Sequence, residues 1–158
     1  MTINNYDYKL QADPAAYAVD TSGSNNIIMG DMVYWYQAGP YVKSLANGQE
    51  ALFVGVAEGV APTPAGNIDN TTGLISKVLV RQKGIFALKT TVGETYTHGN
   101  ALKCGADAQT VTNSTVALAD TIGYVWRPDG TAALTGAAGV TVDVAIVQRY
   151  PASGLDIL

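Results

Sequence analysis

The stretch "ETYTHGNALKCG", residues 94–105, holds the only histidine and the only cysteine in the chain, His98 and Cys104, with Glu94 just before them. A thiol, an imidazole and a carboxylate are the parts of a nucleophile, its base and a group that orients the base. Such a set works only if His98 and Cys104 reach hydrogen-bond contact and a third group fixes the imidazole. On an extended chain, residues six apart lie far from each other, so this spacing does not converge. A zinc site needs three or four ligands, and one histidine with one cysteine falls short. No D-x-[DN]-x-[DN]-G loop offers a site for a hard cation. The other catalytic signatures fare no better. The 13 acidic residues are scattered without a distinctive pair, G-x-S-x-G is absent, and "GAAGVTV" lacks the strand–turn–helix setting of a dinucleotide loop. The residues therefore assign no catalytic group, no metal ligand and no cofactor, and the expected roles of His98 and Cys104 are structural.

The elements that carry these residues read as strands. Short β-branched and aromatic runs are broken by Gly, Pro, Asn and Asp, and helical periodicity is hard to find. Residues 30–36 predict a strand opened by Gly30. Residues 41–57 predict a hairpin turning at Asn47-Gly48, and 77–90 a second hairpin with Gly84 in its connection. In 140–150 the alternation places Val140, Val142, Val144 and Ile146 inward, with Thr141 and Asp143 outward. Loops are expected at 58–73 and 127–139. Residues 1–13 are polar, contain Tyr6 and Tyr8, and read as an N-terminal arm ahead of one β domain, 14–158. The fold class is all-β: a compact barrel or sandwich of short antiparallel strands.

An internal echo divides that domain into half-repeats, about 27–90 and 96–150. Gly30-Asp31-Met32-Val33 recurs as Gly99-Asn100-Ala101-Leu102, Val42 as Val111, and Val54-Gly55-Val56 as Ile122-Gly123-Tyr124. A V-x-V strand closes each copy, Val78–Val80 and Val140–Val142. This alignment sets Cys104 on Trp35 and His98 on Met29, and marks the face of Cys104 as buried, where a free thiol behaves as a small hydrophobe. It also places Val33 and Trp35 inward, with Met32, Tyr34 and Tyr36 on the opposite face. Tyr34, Tyr36 and Tyr41, with Tyr6 and Tyr8 of the arm, are the candidate partner-binding residues.

Composition narrows the function classes. The chain is 47% hydrophobic and 14% charged, against roughly 25% charged in ordinary soluble domains. So low a charge density suggests a surface meant to be covered. A net charge of −4 with nine scattered basic residues argues against a nucleic-acid partner. No apolar run approaches the roughly 18 residues of a membrane helix, and the first residues lack the pattern of a secretory signal.

The order "GDMVYW…VKSLANGQEALFVGVAEG", "VLVRQKGIFALKT…GETYTHGNALKCGADAQTVT", "IGYVW" and "VTVDVAIVQRYP" resembles tailed-phage head decoration proteins, also called capsid cement proteins. The resemblance covers roughly residues 27–151, with Asn100 in place of the expected acidic residue in the second copy. It rests on structural motifs: G-D before a strand, V-G-V-A, "KGIFALK" and G-x-A-x-x-x-G-A-D-A. It implies a homotrimer made in the host cytoplasm that binds the outside of an assembled virion capsid and clamps its major capsid protein, without cofactor or reaction. The competing readings are a carbohydrate-binding or adhesive module using Tyr34, Tyr36 and Tyr41, and an enzyme centred on His98.

Overall fold

The structure, a computed structural model, describes residues 15–19, 27–36, 41–58, 77–115 and 120–146. The arm with Tyr6 and Tyr8, most of the loop at 58–73, and residues 147–158 lie outside the described residues. The strands are β1 (Ala15–Ala18), β2 (Met32–Tyr36), β3 (Tyr41–Ser44), β4 (Phe53–Ala57), β5 (Lys77–Arg81), β6 (Gly84–Thr90), β7 (Thr95–Tyr96), β8 (Ala101–Cys104), β9 (Thr110–Asn113), β10 (Gly123–Val125), β11 (Leu134–Thr135) and β12 (Thr141–Ile146). A 3-10 turn, Glu50–Leu52, precedes β4. The chain is all-β, as its pattern of short apolar runs predicts.

Two sheets carry the fold. The first is five-stranded in the order β1-β5-β4-β2-β3, and the second closes into a barrel, β10-β12-β6-β9-β8. Neighbours pair antiparallel except β6 and β9, which run parallel and close the barrel. A two-stranded ribbon, β11-β7, stands beside them.

Both hairpin expectations fail. β3 and β4 do not pair; they flank β2 on either side, and the Asn47-Gly48 turn leads through the 3-10 turn that carries the chain across. β5 and β6 lie in different sheets, so Gln82 and Lys83 form a crossover. Residues 84–90 thus belong with the second sheet, not with the first half. The loop read at 127–139 contains β11. In β12, Val142, Val144 and Ile146 are buried and Thr141 and Asp143 exposed, while Val140 precedes the strand.

The second sheet repeats the first strand for strand: β2 matches β8, β3 matches β9, β4 matches β10, β5 matches β12 and β1 matches β6. Val33 lies opposite Gly55, as Leu102 lies opposite Gly123. Trp35 faces Val42, as Cys104 faces Val111. The parallel bridge Val19–Val42 has its counterpart in Thr90–Val111. Backbone bonds repeat as well. Gly30 N–H donates to Ala57 O (2.8 Å) and Gly99 N–H to Val125 O (2.9 Å); Leu45 N–H donates to Met32 O and Ser114 N–H to Ala101 O, both 2.8 Å. Gly30 and Gly99 both hold positive φ, 90° and 83°, a backbone region that favours glycine. One detail of the echo shifts: Val80 faces Ala57 and Val144 faces Val125, so Val78–Val80 match Val142–Val144, two residues later than the sequence alignment has them.

Two cores follow. The first sheet packs Val19, Ile27, Val33, Val42, Val78 and Val80 on one face. The barrel interior, with Leu102, Cys104, Val111, Val142 and Val144, is continuous with Met32, Leu45, Phe53 and Val56 from the other face of the first sheet. β4 is buried along its whole length. A register shift of the kind a β-bulge gives, between Val33 and Tyr34, lets Phe53 and Val56 face one core and Val54 and Ala57 the other. The face of β2 carrying Met32 and Tyr34 was expected outside; the second sheet lies on it, so Met32 is buried and Tyr34 half-buried.

Candidate functional site

Cys104 comes from the inward face of β8 and is fully buried. Its Sγ lies 3.4 Å from the carbonyl of Asp107 and 3.8 Å from that of Leu45. Burial, with Glu50 and Asp107 nearby, pushes the thiol up to about 12, so it stays protonated and poorly nucleophilic at neutral pH. His98 sits in the turn before β8 and is exposed. Its Nδ1 accepts the Arg127 N–H (2.9 Å), and its ring meets Trp126 edge-on at 5.8 Å. Glu94 accepts the Asn113 N–H (2.7 Å) and the Thr112 hydroxyl. The three groups therefore have separate surroundings, and each holds a different piece of scaffold. Among the described residues no group of three or more His, Cys, Asp or Glu side chains converges on a metal position.

The sequence-selected tyrosines part company. Tyr34 is half-buried and packs against the main core. Tyr36 and Tyr41 form a cross-strand pair at the end of β2 and β3, both half-buried. The Lys43 ammonium lies 3.6 Å from the centroid of the Tyr36 ring, a cation–π contact. Trp35 is partly buried in the first core, with Tyr17 edge-on at 6.0 Å. Tyr6 and Tyr8 lie outside the described residues.

The sequence reading missed another aromatic pair. Tyr124 and Trp126 flank the buried Val125 at the end of β10 and are 36% and 40% exposed. Tyr124 lies opposite Ala145, and Ala145 opposite Ile85, which is 54% exposed. An apolar row thus crosses the outer barrel wall. Its signal was present in "GYVWR", where one inward valine between two aromatics is a strand with both rings on the other face.

The polar centre of the molecule lies where the two sheets meet. Asp31, 5% exposed, accepts the Ile28 N–H (3.0 Å) and the Ser44 hydroxyl (3.2 Å) on Oδ2. Its Oδ1 accepts Gln109 Nε2 (3.0 Å). Ala108 O accepts the Met32 N–H (2.7 Å). The loop between β8 and β9 therefore grips the first sheet at its G-D turn. Within that loop, burial of Asp107 opposes ionisation, but the Gln109 N–H, the Thr110 hydroxyl and Lys89 outweigh it and hold the carboxyl below its usual range. Glu50, 2% exposed, takes the Gly48 N–H (2.8 Å) on one oxygen. Nearby, a groove lined by Met29, Leu79, Phe86 and Ala87 is apolar apart from Glu58, which is paired with Arg81 at 2.5 Å.

These geometries hold backbone and join sheets, and Tyr124, Trp126 and Ile85 are large apolar side chains left exposed on the barrel. Comparison of the chain with protein-family models, with curated proteins and with solved structures gave no match.

Proposed function

We propose that this chain is a structural virion protein. It binds the outer surface of an assembled phage capsid as a homotrimer and stabilises contacts between major capsid protein subunits. The observation that carries this reading is where the resembling motifs fall. G-D is the turn whose aspartate joins the two sheets. V-G-V-A is the doubly buried β4, and "KGIFALK" is β6, which closes the barrel. G-x-A-x-x-x-G-A-D-A is the strand and loop that grip the first sheet. The motifs that carry the resemblance are thus the ones that build this scaffold, which is what supports the reading.

The mechanism is linkage. A ligand that binds only the assembled lattice stabilises that lattice by mass action, without any reaction. Exposed Tyr124 and Trp126 are residue types that anchor protein interfaces. The alternative, glycan binding by Tyr34, Tyr36 and Tyr41, is weaker, because Tyr34 packs half-buried against the core and Tyr36 lies under Lys43. The test is co-sedimentation of purified protein with expanded, undecorated capsids of the phage that encodes it. Saturable pelleting at a fixed ratio to the major capsid protein supports the reading, and protein left in the supernatant overturns it. Recovery on a glycan array instead would favour the alternative.

A further inference from the structure

The Asn47-Gly48 turn sets an exposed side-chain amide beside a buried carboxylate. Asn47 and Gly48 are both exposed, and the Gln49 N–H closes the turn on Ala46 O (3.1 Å). Among the described residues the Asn47 side chain makes no hydrogen bond, so its rotamers are open. The Gly48 N–H donates to Glu50 Oε2 at 2.8 Å. Glu50 opens the 3-10 turn that follows and is 2% exposed. Its Oε1 is buried without a hydrogen-bond partner among the described residues.

The backbone nitrogen after an asparagine can attack the side-chain carbonyl carbon once it gives up its proton. That loss is the difficult part, because a backbone N–H is a very weak acid. A side-chain base helps only within hydrogen-bond reach of the proton, roughly 2.6–3.2 Å, and Glu50 meets that condition. The N–H···O bond lies in the peptide plane, whereas attack on Asn47 Cγ uses electrons above or below that plane. Base and electrophile therefore do not compete for the same space. Access is the second requirement. No atom lies within 4 Å of where a Gly48 side chain would stand. Of the nine asparagines only Asn47 precedes a glycine; after the other eight a side chain crowds the nitrogen.

We propose that Asn47 is a site of self-modification, with Glu50 as the base for ring closure between Gly48 N and Asn47 Cγ. The N–Cγ bond forms as the Gly48 proton passes to Glu50 Oε2. The Cγ–Nδ2 bond then breaks, the proton moves from Glu50 to the departing nitrogen, and ammonia leaves. The five-membered imide that remains takes up one water, which opens it at either carbonyl. The products are an aspartate at this position and its isomer, in which the backbone runs through the side-chain carbon. Nothing is oxidised or reduced, and Glu50 is regenerated. Either product sets a new carboxylate near Glu50, and like charges repel. The isomer also lengthens the backbone by one methylene at the turn that carries the chain from β3 across to β4. The conversion is one-way and weakens that crossing as the protein ages.

The experiment incubates the full chain near neutral pH, native and unfolded in urea at the same pH and temperature. Peptide mass spectrometry follows Asn47, with fragmentation separating it from Asn67 and Asn70. The native chain is expected to convert faster than the unfolded one, in which Glu50 is no longer held on the Gly48 N–H. Glu50→Gln keeps an acceptor of the same shape that cannot take up the proton, and should slow native conversion about tenfold or more. The wild-type rate should rise less steeply with pH than hydroxide does, and the Glu50→Gln rate in proportion to hydroxide. Cys104, which lies near Glu50 with Asp107 beyond it, stays protonated near neutral pH and does not bend this profile. Circular dichroism checks that the variant folds. Should it not, native against unfolded wild type and the wild-type pH profile still decide. An unfolded chain that converts as fast as the native one, or faster, overturns the inference. So does a folded Glu50→Gln variant at or above the wild-type rate, or a wild-type rate proportional to hydroxide.

Discussion

Gly123 occupies in the barrel the position that Gly55 occupies in the first sheet, and both lack a side chain for the same reason. A Cβ on Gly55 would stand 2.3 Å from the carbonyl oxygen of Arg81 and 2.9 Å from Val80 Cγ1. A Cβ on Gly123 would stand 2.6 Å from Ala145 O and 2.9 Å from Val144 Cγ1. Arg81 and Ala145, and Val80 and Val144, are themselves matched positions. Neither backbone can yield without moving a neighbouring strand. Gly55→Ala and Gly123→Ala are therefore each expected to cost about 1–3 kcal/mol, a fall in Tm of about 2–4 °C per kcal/mol for a chain of this size. Thermal unfolding of the two variants checks this, and a wild-type Tm in either would contradict the shared packing.

Asp31 and Asn100 are the next matched pair, and their different partners predict different costs. Asp31 is buried and takes three donors, one of them Gln109 from the other sheet. Asn100 makes one long side-chain bond, 3.4 Å to Asn113 Oδ1. Asp31→Ala leaves those donors unsatisfied and loosens the junction, at about 2–4 kcal/mol. Asn100→Ala should cost about 1 kcal/mol or less. Chemical denaturation of both variants decides, and equal losses would contradict the assigned role of Asp31.

The alternation of short apolar runs made the strands and their inward faces legible. Val142, Val144 and Ile146 could be read as core before any partner was known, and the matching of Cys104 to Trp35 was readable from spacing alone. Strand partners were not. Periodicity tells which face of a strand is apolar but not which neighbour it meets, so Asn47-Gly48 looked like a hairpin turn when it feeds a crossover. Tyr34 was placed outside because alternation assumes one wet face. That assumption fails where a second sheet covers β2, a fact that exists only in tertiary structure. Tyr124 and Trp126 were legible in principle and were passed over for the denser aromatic run at 34–36.

Cys104 should be silent toward thiol reagents in the native protein and react only as fast as the fold opens. Its thiol, raised mainly by burial to about 12, also predicts a pH dependence. An unfolded cysteine titrates near about 8.5. The stabilisation is therefore complete below that value and is lost as pH rises toward the folded one, because the unfolded chain releases its proton first. Between pH 9 and 10 the slope should approach about 1.4 kcal/mol per pH unit. The raised Tyr96 hydroxyl, shifted mainly by burial, adds a loss in the same direction at higher pH. Urea unfolding of wild type and Cys104→Ala across this window separates the two. An unchanged slope in the variant would contradict the assignment.

The central claim, that this chain acts by binding an assembled capsid lattice, is tested most directly by the temperature at which undecorated capsids open. The measurement follows capsid integrity on heating at increasing concentrations of the purified protein. Linkage predicts an opening temperature that climbs with free protein beyond saturation of the sites, by RT ln(1 + [L]/Kd) per site. Tyr124→Ser with Trp126→Ser, which removes the exposed aromatics at the end of β10, should weaken the climb. An opening temperature indifferent to the protein at every concentration would contradict the account.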